Sequence, residues 1–174
     1  MAESLTLPID FPRRVKAIAS DLDRTLIGED YELHERTAAA ISAARAAGIH
    51  VVIVTGRMLR SVRPYLELAG LDDLVVCYQG AIVADPVSVR FLRHVTIPLE
   101  LARETIAAVE REGFQLNCYV DDNLYVARMT PESHAYAEHQ RIPIDTVGNL
   151  LEWLASPPTK LVVIGEPTAL DGLA

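Results

Sequence analysis

Two aspartates two residues apart, Asp21 and Asp23, open the segment DLDRT directly after the apolar stretch RVKAIAS at residues 14–20. A short apolar run that breaks into a polar loop reads as a buried β-strand and its exit. Open α/β sheets gather ligands at the carboxyl ends of their strands, so this spacing puts two carboxylates in one crevice. Two such charges a few ångströms apart either raise one pKa or recruit a hard cation, and oxygen donors without a neighbouring His or Cys favour Mg²⁺. The alternative is a turn in which Asp21 or Asp23 caps backbone amides while Arg24 neutralises one of them. A second cluster, Thr55-Gly56-Arg57, ends the apolar run HVVIV at residues 50–54. Its hydroxyl and main-chain N–H suit non-reacting phosphoryl oxygens, and Gly56 lets the backbone approach closely. Without a ligand the same residues are a strand-to-helix cap and a solvated arginine.

The elements that must carry these groups alternate. Residues 37–47 (TAAAISAARAA) have helical composition, with Arg45 in the last turn and Gly48 as the C-terminal cap. A second helical stretch follows Arg57 and ends near Gly70, with Pro64 marking a start or a kink, and residues 74–78 (LVVCY) form a third apolar run. Strand and helix alternation with short connections predicts a parallel sheet with right-handed crossovers. Residues 1–84 are therefore expected to form part of a doubly wound, Rossmann-like α/β core. Residues 85–174 read as a connecting hairpin and a partial α+β unit. A hairpin over residues 81–96 turns at Asp85-Pro86, and an amphipathic helix over 100–112 ends at Gly113. A further hairpin flanks Asp121-Asp122-Asn123, a helix spans 150–155, a strand spans 160–164, and a last helix begins at Pro167.

DLDRT followed by an apolar strand ending in TGR resembles the haloacid dehalogenase-like (HAD) hydrolase superfamily. The insert entered through YQGAIV, with a helix, the YVDDNLYV hairpin and KLVVIGEP, is similar to the Cof-type branch with an α/β cap. That resemblance implies a Mg²⁺-dependent phosphohydrolase of small phosphorylated metabolites. Asp21 would be the nucleophile that forms an aspartyl-phosphate, and Asp23 the acid and base. Asp21 and the Asp23 main-chain carbonyl would bind the metal, Thr55 and Gly56 the phosphoryl group, and Arg57 and Gln79 the substrate side; for Arg57 a surface ion pair is an equal alternative.

The resemblance also implies a phosphate-neutralising lysine and a GDxxxD-like segment. Lysine occurs twice. Lys16 precedes the aspartates, and Lys160 reads as a solvated residue at the start of a strand. Asp121-Asp122 sits at a hairpin tip, where a turn role is expected, and Asp171-Gly172 has the right residues in reverse order. The expectation is a chain truncated within the cap, with impaired catalysis and self-association through an exposed core edge. Arg24 and Gln79 depart from the family's usual Gly and Asn.

The 174 residues are 50% hydrophobic and 23% charged, which excludes disorder and suits one domain with an insert. A net charge of −8 without a basic cluster argues against nucleic acid and anionic membrane as partners. There is no apolar run of membrane-spanning length, and MAESLTLPID lacks a signal-peptide layout, so the protein reads as cytoplasmic. Cys77 and Cys118 are expected as buried free thiols. The five histidines share no ligand spacing and Trp153 is expected in cap packing. Two other readings stand beside the phosphatase: a receiver-like domain phosphorylated on aspartate, and a non-catalytic remnant that binds a partner.

Overall fold

The computed structural model describes residues 14–172; the N-terminal decapeptide considered above lies outside them. The core begins with β1 (Ala17–Ser20), α1 (Glu35–Ala46), β2 (His50–Ile53), α2 (Leu59–Ala69) and β3 (Val75–Cys77). β1 and β2 pair in parallel, with Ala17 opposite His50 and Ser20 opposite Ile53. β3 joins β2 through one parallel bridge, Val54 to Val76, rather than a full ladder. In the order β1-β2-β3 the connecting helices α1 and α2 touch, as helices on one face of a sheet do. Leu59, Val62, Tyr65 and Leu66 of α2 are buried there with Val51, Ile53, Val75 and Cys77 of the sheet.

Pro64 lies inside α2, and the helix closes at Gly70 in left-handed backbone (φ 63°), as its cap position requires. β1 is an edge among the described strands, and Ile18 on it is 40% exposed.

The chain then turns antiparallel through β4 (Ile82–Asp85) and β5 (Arg90–His94), which extend β3. A second unit follows with α3 (Leu99–Arg111), β6 (Gln115–Val120), β7 (Asn123–Val126), α4 (Pro131–Gln140), β8 (Asp145–Thr146), α5 (Leu150–Trp153), β9 (Lys160–Ile164) and α6 (Pro167–Leu170). Its sheet has the order β8-β7-β6-β9. Strand alternation divides β6 between two cores. Leu116, Cys118 and Val120 pack with α3 and α5, whereas Tyr119 joins the core cluster around α2.

Helix α4 was not expected from its weak apolar pattern. It starts with a reciprocal cap between Thr130 and Ser133 and a proline in its first turn, and Ala137 is buried against the core cluster.

Candidate active site

Parallel pairing brings the two motifs to the same sheet end. Val54 N–H donates to the Ser20 carbonyl at 2.8 Å, so β1 and β2 release Asp21 and Thr55 side by side. Asp21 is exposed, and among the described residues its carboxylate makes no hydrogen bond or ion pair. Asp23 is half-buried and differently engaged. Arg57 grips it with a two-pronged contact, Nε to Oδ2 at 2.8 Å and Nη2 to Oδ1 at 2.6 Å. This hydrogen-bonded pairing outweighs the opposing effect of burial and holds the Asp23 carboxyl below its ordinary value.

Arg57 is therefore neither at an open substrate entrance nor in a surface ion pair. It is 4% exposed, donates to Ser61 Oγ at 3.1 Å, and lies within 6 Å of the rings of Tyr31 and Tyr65. A guanidinium stays charged in such a place because fork geometry and two π-faces replace its water.

Thr55 is buried, and its Oγ1 accepts from the Arg57 N–H at 3.2 Å. The loop is laced to the end of β3: Tyr78 N–H donates to the Arg57 carbonyl and Gln79 N–H to the Thr55 carbonyl. Gln79 folds over Gly56 so closely that a Cβ there would sit 3.1 Å from Gln79 Nε2. A side chain at position 56 therefore requires the Gln79 amide to give way by a few tenths of an ångström. Arg24 (φ 55°) and Gln79 (φ 53°), which depart from the family's Gly and Asn, both occupy left-handed backbone. Gly and Asn adopt that region at least cost.

Three residues read blandly from sequence join this region. His139, from α4, meets Tyr31 edge-on at 4.7 Å and lines a cavity of about 460 Å³ with Asp23, Arg24, Gly28, Glu29 and Tyr31. Asp122 does more than shape its turn: its carboxylate accepts from the Leu59 and Arg60 amides at 2.9 and 2.8 Å and from the Tyr78 hydroxyl at 2.9 Å. It supplies the N-terminal cap that Met58 does not give α2. Burial raises its pKa despite these donors. Lys160 is only partly solvated. It is half-buried and its Nζ donates to the Gly56 carbonyl at 3.2 Å.

A haloacid dehalogenase-like hydrolase family model matches residues 18–174. The chain belongs to the haloacid dehalogenase-like hydrolases. Its HAD relatives include the phosphatase YwpJ of Bacillus subtilis, 30% identical over 64% of this chain and 39% of that protein. Another is the 5-amino-6-(5-phospho-D-ribitylamino)uracil phosphatase YitU of the same organism, 29% identical over 84% and 54%. A HAD hydrolase structure from Bacteroides thetaiotaomicron superposes with a TM-score of 0.83 at 18% identity, over 92% of this chain and 62% of that one. TM0651 from Thermotoga maritima gives 0.79 at 28% identity, over 92% and 60%. The chain thus spans less than two thirds of each of these relatives. The α/β class expected from the sequence is the class of the HAD fold. Among the described residues no helix is long and apolar enough to cross a membrane.

The donor set allows a test of Mg²⁺. Among the described residues no three His, Cys, Asp or Glu side chains converge on a metal position. The unpaired Asp21 carboxylate and the Asp23 main-chain carbonyl are hard oxygen donors at one loop. They fit Mg²⁺, which keeps several waters and binds through one or two carboxylates and substrate phosphate. The Asp23 carboxylate does not fit as a ligand while Arg57 holds it.

Proposed function

We propose that this chain carries the nucleophile and phosphate loop of a Mg²⁺-dependent phosphohydrolase acting on small phosphorylated metabolites. The observation that supports it most directly is the unpaired Asp21 carboxylate released beside Thr55-Gly56 by parallel strand ends. Asp21 Oδ attacks phosphorus in line, the ester P–O bond breaks, and the departing alkoxide takes a proton from Asp23. Water then attacks phosphorus of the aspartyl-phosphate, Asp23 takes its proton, and Asp21 returns with release of inorganic phosphate. Held by the Asp21 carboxylate and the Asp23 main-chain carbonyl, Mg²⁺ would neutralise part of the negative charge brought by the substrate. In the geometry described, the Arg57 pair keeps Asp23 ionised and suits it to the base step. The acid step requires that pair to loosen. Thr55 and the Gly56 amide orient the phosphoryl group.

The sequence contains no GDxxxD-like segment, and turnover by the 174-residue chain is expected to be slow. The test is hydrolysis of an aryl phosphate with Mg²⁺ by the chain and by Asp21→Asn. Turnover that falls to background in the variant supports the reading, and equal turnover by both proteins refutes it.

A further inference from the structure

Lys160 is the first residue of β9, and strand register sets its neighbours. It pairs with Tyr119 across β6, and its ammonium lies 5.8 Å from the centroid of the Tyr119 ring. The preceding residue ties this strand end to the core: Thr159 N–H donates to the Tyr119 carbonyl at 2.7 Å, and its hydroxyl meets His94 Nε2 at 2.7 Å. Lys160 is thereby held where cap and core meet, and from there it reaches the carbonyl of Gly56, 104 residues earlier in the chain.

Its charge is not compensated. Among the described residues no carboxylate lies within 4 Å of Nζ, and burial lowers the pKa of the ammonium. One neutral carbonyl and one ring face are weak partners for a half-buried cation, which is retained at low cost only where an anion completes its shell. The arginines of the two motif loops are already engaged. Arg57 is consumed by Asp23, and Arg24 is exposed beside Glu29. A phosphate ester entering at Thr55-Gly56 therefore meets, from the cap side, a half-buried ammonium that no carboxylate among the described residues compensates.

We propose that Lys160 is a substrate-binding residue that takes an anionic oxygen of the phosphate ester from the cap side of the Gly56 loop. This rests on the phosphohydrolase reading above, but it is separable from it because anion binding needs no turnover. The positive charge of the site is then assembled from two units, and a cap displaced from the core binds phosphate poorly. The oxygen taken belongs either to the transferring phosphoryl group or to a second acidic group on the leaving alcohol.

The experiment compares the full chain with Lys160→Met and Lys160→Arg. Calorimetry measures the affinity for inorganic phosphate and for two aryl phosphates that differ by one carboxylate on the ring; Tm is recorded for each protein. Expected is a loss of about tenfold or more in affinity for Lys160→Met, with substantial recovery in Lys160→Arg and Tm values that stay close. A loss common to all three ligands assigns Lys160 to the phosphoryl group, whereas a loss confined to the carboxylated ester assigns it to the leaving alcohol. Affinity unchanged in Lys160→Met for every ligand overturns the proposal, as does a wild-type chain that binds none of them. Phosphate binding that depends on Lys160 in a chain without Asp21-dependent turnover keeps this inference and removes the catalytic reading.

Discussion

Replacing Asp122 with alanine removes one carboxylate that three donors share. The Leu59 amide and the Tyr78 hydroxyl belong to buried residues, while Arg60 is exposed and its amide can turn to water. Each buried donor left unpaired costs about 1–3 kcal/mol, and loss of a helix N-cap typically costs about 1 kcal/mol. The desolvation cost that raises the Asp122 pKa is relieved at the same time and offsets part of this. A net destabilisation of about 2–4 kcal/mol is expected, or about 5–15 °C in Tm for a chain of this size. The assay is thermal unfolding followed by circular dichroism, for Asp122→Ala, Tyr78→Phe and the double variant. Because the two groups touch, the double variant should be less destabilised than the sum of the singles. A Tm for Asp122→Ala within about 1 °C of wild type would show that the hairpin tip does not cap α2, and the reasoning fails.

Arg57→Met frees Asp23, whose carboxyl then rises from its lowered position toward its ordinary value of 3.8. A depressed carboxyl adds stability that is complete above the unfolded pKa and is lost as pH falls through the folded one. The Tm difference between wild type and Arg57→Met should therefore shrink as pH is lowered through about 4 and below. A difference independent of pH contradicts the pairing. Asn117 is fully buried on β6, and among the described residues neither polar atom of its amide has a hydrogen-bond partner. Asn117→Leu should stabilise the chain by about 1–3 kcal/mol in thermal melts; a lower Tm would mean that the amide is satisfied.

What the sequence revealed was local. DLDRT and the strand ending in TGR mark the exits of β1 and β2, because strand ends follow from apolar runs and their polar exits. The hairpins at Asp85-Pro86 and around Asp121-Asp122 were equally legible, since turn residues announce themselves. Contacts across long separations were not. That Arg57 lies between Tyr31 and Tyr65 depends on how α2 docks against the loop after β1. Asp122 meets α2 across 63 residues, and Lys160 meets Gly56 across 104. No period or motif encodes such approaches. For Lys160 the decisive fact is strand register, which sets it opposite Tyr119 on the core-facing side of β6. Helix α4 escaped notice for another reason: its apolar face is narrow, although Thr130-Pro131 carried the start signal.

The two cysteines sit one in each unit. Cys77 lies in β3 of the first unit and Cys118 in β6 of the second, both wholly enclosed, and burial pushes both thiols up to about 12. Neither sulfur is nucleophilic until its own sheet parts and admits water. The native molecule thus carries two built-in clocks. Alkylation followed by mass spectrometry reads how often each of the two sheets opens, with no residue changed.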